Sequence, residues 1–166
     1  MINIRDYFIK LTSKRYPRGK EGDVINLLPE FKFEKDEVDN YYIIIKKKDG
    51  TFSNSMFTCH LDTVDRGKST SVTNWNNRNW NSDTKSWDII DPEKENNTKI
   101  DDGSVTHVFE DDFIKTDGNS NLGADDKAGM VIMLNMISEN IPGLYYFFVG
   151  EESGCIGSSN LSRKYN

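Results

Sequence analysis

Three short clusters in this 166-residue chain combine residue types that can hold a metal ion. The first is His60-Leu61-Asp62, in the run Cys-His-Leu-Asp-Thr-Val, where the strand period of two turns both polar side chains to one side. A neutral imidazole binds zinc through one nitrogen while a carboxylate holds its other N–H, and Asp62 is the natural candidate for that carboxylate. A His–Asp pair at a strand end is also a common hydrogen-bonded pair. The second cluster is Leu122-Gly-Ala-Asp-Asp-Lys-Ala-Gly129, with two acids at the first turn of an expected helix. Capping and the helix dipole favour one such acid without any metal, but a pair among glycines on a buried helix needs a cation or several donors. The third is Gly150-Glu151-Glu152-Ser153-Gly154, directly after the most apolar run in the chain. Adjacent glutamates usually mark a solvated loop. At the carboxyl end of a central strand they lie where α/β sheets take ligands, and one can ligate a metal while the other accepts a proton from water.

The elements that must position these clusters follow from periodicity. Ile4, Tyr7, Phe8 and Leu11 form the stripe of a surface helix ended by Pro17 and Gly19, and a short helix is expected over Glu21 to Leu28. Residues 41–48 and 55–60, with Asp49-Gly50 between them, predict a hairpin. A strand is expected from Val105 to Ile114, with a turn at Asp117-Gly118. The helix from about Asp126 to Glu139 is apolar nearly all round, which predicts burial on more than one face. Leu144 to Val149 is continuously apolar, as in a central strand. The fold class expected is α/β: a mixed, mostly parallel sheet flanked by helices.

Lys and Arg total 21 against 27 Asp and Glu, a net charge of −6, which lacks the positive field that nucleic acid or an anionic membrane requires. No apolar run reaches the roughly 20 residues of a membrane span, and no signal-peptide core is visible, so the expected location is cytoplasmic. Cys59 and Cys155 are too few for a disulfide framework and read as reduced, packed thiols. One domain over 1–166 is expected, carrying a polar insertion at about 66–104 in which Trp75, Trp80 and Trp87 staple part loop and part short strand to the rest.

His-x-Asp, then Gly-Ala-Asp-Asp-Lys-Ala-Gly, then Gly-Glu-Glu, in this order, resembles the amino-terminal part of the catalytic domain of dinuclear zinc exopeptidases and amidohydrolases of the peptidase T and carboxypeptidase G2 type. The stretch from Asp117 to Gly129 is the most specific, and 66–104 matches poorly. The resemblance implies that His60, Asp125 and Glu152 are metal ligands, with Asp125 bridging two ions. It implies that Glu151 is the general base, that Asp62 orients His60, and that the peptide after Asp125 is cis. The implied cofactor is one or two zinc ions, with cobalt or manganese as substitutes, and the implied substrate a small peptide.

Members of that family continue well past the glutamate pair and add a further carboxylate and a late histidine, whereas this chain stops at Asn166. The remaining histidine, His107, lies outside the family's pattern and reads as a surface or hydrogen-bonded residue; Cys155 is an opportunistic soft ligand or, more simply, core. Several outcomes therefore stand open. The chain is a metal-dependent peptidase-like hydrolase cleaving a terminal amide, its site finished by water or a neighbour; or half of a split enzyme met by a complementing carboxyl-terminal chain; or a non-catalytic binding or assembly protein. An uncovered sheet and helix predict a homo-oligomer or a complex.

Overall fold

The structure, a computed structural model, describes residues 1–64, 78–84, 86–89, 103–118 and 120–161. The chain divides into two compact units, Met1–Asp65 with Gly103–Asn166, and Arg66–Asp102. The first unit contains helices α1 (Ile4–Leu11) and α2 (Glu21–Asn26), then strands β1 (Glu34–Lys35), β2 (Tyr41–Ile45) and β3 (Met56–His60). In the second unit β4 (Arg78–Asn81) and β5 (Ser86–Ile89) form an antiparallel hairpin with Trp80 opposite Trp87. Asn81 Oδ1 closes its turn by accepting the Asp83 and Thr84 amides at 3.0 and 3.2 Å. Of the expected tryptophan staples, Trp75 lies outside the described residues. The first unit resumes with β6 (His107–Glu110), β7 (Phe113–Thr116), α3 (Ala124–Ser138), β8 (Gly143–Phe148) and α4 (Ile156–Ser159).

The main sheet is four-stranded, in the order β1-β2-β8-β3. Strand β8 is its centre, and Tyr145, Tyr146 and Phe147 are fully buried, as a continuous apolar run demands. The α/β class holds and the sheet is mixed, but only β3–β8 is parallel among the described strands, fewer than a mostly parallel sheet has. The expected hairpin of β2 and β3 is corrected. Asp49-Gly50 does make a local turn, with Lys47 N–H bonded to Thr51 O at 2.9 Å. The two strands are nevertheless separated by β8, which pairs antiparallel with β2 and parallel with β3. A strand as apolar as β8 gains most by covering both its edges, and that long-range preference overrides a local turn signal.

The single strand expected over 105–114 is likewise corrected: β6 and β7 are a hairpin turning at Asp111-Asp112, where Asp111 adopts φ 49°. Aspartate tolerates that left-handed conformation better than most residues, a signal that the run of apolar residues concealed.

One face of the sheet carries α1, α2 and α3 over a core that includes Leu11, Val24, Met130, Leu134, Tyr145 and Phe147. Helix α3 buries Lys127, Met130, Val131, Met133, Leu134 and Ile137 as one broad face. Ala128 and Ile132 form an open stripe, Ile132 being 57% exposed, so the expectation of burial on more than one face fails among the described residues.

Candidate metal centre

Strands β3 and β8 run parallel, so both end on the same side of the sheet, where His60 and the Gly150-Glu151-Glu152 turn emerge beside one another. This is the position at which open α/β sheets take ligands. The amino end of α3 supplies the third component. Asp125 and Asp126 are non-helical and joined by a cis peptide bond, as the resemblance implies, and regular helix begins after them. Gly129 makes this entry possible: a Cβ there would lie 2.3 Å from Asp126 Oδ1, which instead accepts the Gly129 amide at 3.0 Å.

His60 and Asp62 have distinct partners. The imidazole Nδ1 lies 3.0 Å from the backbone carbonyl of Asp62 and 3.6 Å from its carboxylate. A carbonyl only accepts, so Nδ1 carries a proton and Nε2 is the nitrogen that faces the acids. Nε2 lies 3.1 Å from Asp125 Oδ1 and 3.9 Å from Glu151 Oε2. The Asp62 carboxylate, fully buried, accepts the backbone N–H groups of Glu151 and Glu152 at 3.0 and 3.1 Å. One side chain on β3 thus fixes the turn that follows β8.

The charges are lopsided. Burial pushes the His60 pKa down, but hydrogen bonds to Asp62 and Asp125 and the charges of Asp62 and Glu151 outweigh it and raise it to about 9. Burial would raise Asp62, yet its bonds to His60 and to the Glu151 and Glu152 amides hold it below the ordinary carboxylate range. Loss of solvent, then the charges of Glu151, Asp125 and Asp62, push Glu152 up against the pull of the imidazole. Several acids therefore face one imidazole, an arrangement that attracts a cation.

Ligand atoms of His60, Glu151 and Glu152 all lie within 4.8 Å of one another. Zinc makes bonds of about 2.0–2.2 Å to nitrogen and carboxylate oxygen, so two ligands of one ion lie within roughly 4.4 Å of each other, close to the spacing found here. Asp125, on the same imidazole nitrogen, adds a fourth donor, and its side chain is 86% exposed. An imidazole with carboxylates suits zinc and also cobalt or manganese, so the donor set fits the implied metal. His107 takes no part: Thr12 Oγ1 donates to Phe8 O at 2.7 Å and accepts from His107 Nε2 at 2.8 Å. Cys155 is corrected from core to surface. It is exposed at φ 56°, and its thiol donates to Glu151 Oε1 at 3.5 Å, a bond that raises the thiol pKa.

Sequence reasoning passed over Lys127. It is fully buried, and its Nζ donates to the carbonyl of Leu61, between His60 and Asp62. Burial lowers its pKa to about 8, opposed by the charges of Cys59, Asp62, Asp126 and Glu21. The signal was present in the helical stripe Lys127, Met130, Val131, Leu134, whose first position is as inward-facing as the others.

No protein-family model matches the chain. It is 42% identical over 87 residues to the uncharacterized protein YqjE of Bacillus subtilis, an overlap of 48% of this chain and 24% of that protein. Among solved structures it resembles a tripeptidase from Staphylococcus aureus with a TM-score of 0.65 at 23% identity, covering 100% of this chain and 42% of that one. It resembles the aminopeptidase PepT of Bacillus cereus with a TM-score of 0.63 at 20% identity, covering 98% and 40%. For the aminoacylhistidine dipeptidase of Vibrio alginolyticus the TM-score is 0.61 at 17% identity, covering 98% and 30%. The chain therefore shares its fold with part of each of these three solved structures, and it spans less than half the length of each of these proteins.

Proposed function

We propose that this chain is a metal-dependent, peptidase-like hydrolase, or the amino-terminal part of one, acting on a terminal amide of small peptides. The supporting observation is the meeting of His60, Asp125, Glu151 and Glu152 at the ends of two parallel strands. His60 through Nε2, Asp125 and Glu152 would hold the metal. Zinc, or cobalt or manganese in its place, would polarise the scissile carbonyl and lower the pKa of the attacking water. Glu151 would accept a proton from that water and pass it to the leaving amine. Asp62 would keep the His60 tautomer fixed and the glutamate turn in place.

Three protein ligands fall short of what two catalytic zinc ions take, about three each plus water. In this reading the balance comes from water and from a carboxyl-terminal segment, whether continuous with these residues or carried on a complementing chain, or from a second copy. Strand β3 has no outer neighbour among the described strands, and Ile132 is exposed on α3, both of which favour a covering partner. Light scattering at high concentration should show an assembly larger than a monomer.

Calorimetric titration of the chain with zinc and with cobalt tests the centre. Wild type is expected to bind and Asp125→Ala to lose at least about 100-fold in affinity, more than a supporting residue contributes. Binding without cleavage of tripeptides, with or without added metal, would mark a split enzyme. No binding at all would favour a non-catalytic binding or assembly protein.

A further inference from the structure

We propose that Lys127 is a positioning residue, whose buried ammonium locks the His60-Leu61-Asp62 segment so that Asp62 can hold the glutamate turn. The inference deepens the metal-centre reading and rests on it only for its zinc readout. A fully buried ammonium is costly, and an apolar side chain of similar volume would normally serve a core as well or better. What Lys127 does with its charge therefore matters. Its donation to Leu61 O fixes the carbonyl lying between the two residues that the site uses.

No carboxylate makes an ion pair with Lys127 among the described residues, so the ammonium is not committed to one acid. Its surroundings are nonetheless acidic. Asp62 is fully buried and Glu21 nearly so, and both act on Lys127 electrostatically, together with Asp126. Glu21 in turn accepts the Gly150 amide at 3.1 Å, at the start of the turn that Asp62 holds through Glu151 and Glu152. Two buried carboxylates thus grip three consecutive amides, and Lys127 is the buried cation beside both. The Tyr16 ring, 5.9 Å from Nζ, closes the other side. Without the ammonium, Leu61 O loses its buried donor, and the carbonyl between His60 and Asp62 is no longer fixed in place.

Hydrogen exchange on the full, metal-free chain, paired with thermal unfolding, tests this. In Lys127→Met the Glu151 and Glu152 amides are expected to lose at least tenfold more protection than the amides of β8, and Lys127→Arg to restore most of it. Zinc affinity should fall about 10–100-fold in the Met variant and recover in the Arg variant, as for a supporting group of a metal site. If protection falls evenly over the sheet and zinc affinity is unchanged, Lys127 is merely core and the proposal is overturned. Should Lys127→Met fail to fold, Lys127→Gln, which keeps a donor and removes the charge, is read by the same criteria. A wild type that binds no zinc, with selective loss of amide protection in the variant, overturns the metal reading and leaves the positioning role standing.

Discussion

Two polar assemblies flank the exit of β8, and they differ in how their charges are settled. On one side Asp36 accepts four hydrogen bonds: the Val38 and Asn40 amides and Asn40 Nδ2, each at 2.9 Å, and the Tyr146 hydroxyl at 2.8 Å. Asn40, fully buried, also donates to Gly157 O at 3.0 Å and accepts the Val149 amide at 3.2 Å. Gly157 permits this approach, since a Cβ there would lie 2.0 Å from Asn40 Oδ1. Every group is matched. On the other side His60 faces Asp125 and Glu151 with Glu152 close by, an excess of acceptors over donors. A closed network of this kind fixes a structure, whereas an unbalanced one leaves capacity for something to bind.

The comparison can be broken first at its closed side. Asn40→Leu strands a buried carbonyl, an amide and part of Asp36, and should cost about 2–4 kcal/mol in urea unfolding; a loss below about 1 kcal/mol would show that the network is not closed. At the open side His60→Ala should act on binding as well as on the fold. Zinc affinity drops at least about 100-fold, or some 2.7 kcal/mol, and metal-free protein loses the stability that the protonated imidazole contributes below about pH 9.

Proton linkage sharpens the contrast. The folded His60 pKa of about 9 lies above its ordinary 6.5, so its contribution to stability is fully present below about 6.5 and is lost as pH rises through about 9. His60→Gln should remove that fall from the difference between the two unfolding curves. Zinc uptake near pH 7 should release about one proton, with affinity rising toward pH 9, measurable by calorimetry in buffers of different ionisation enthalpy. The smallest effect is expected at Cys155, where Cys155→Ala should shift stability by less than about 0.5 kcal/mol, as for other exposed positions.

What the sequence disclosed and what it hid follow the range of the interactions involved. A periodic stripe marked α1, and unbroken apolar runs marked the long helix and the central strand, because each reflects burial that extends along a few turns or residues. The three clusters were legible from residue type and spacing, and the structure brings His60, Asp125, Glu151 and Glu152 together. Pairing was not legible: Asp49-Gly50 announces a turn but says nothing of a strand arriving from almost a hundred residues later. Nor was the division of labour within Asp62, whose carbonyl serves His60 while its carboxylate serves the glutamate turn. Lys127 was hidden by its neighbours, since a charged residue among small ones suggests solvent until the helix is docked.

The grip of a single aspartate on two successive amides makes β3 and β8 a matched ruler. A slip of one residue between these strands would carry His60 to the opposite face of the sheet and tear both amides from Asp62. Any chain that assembles the acids and the imidazole has therefore already verified its own alignment.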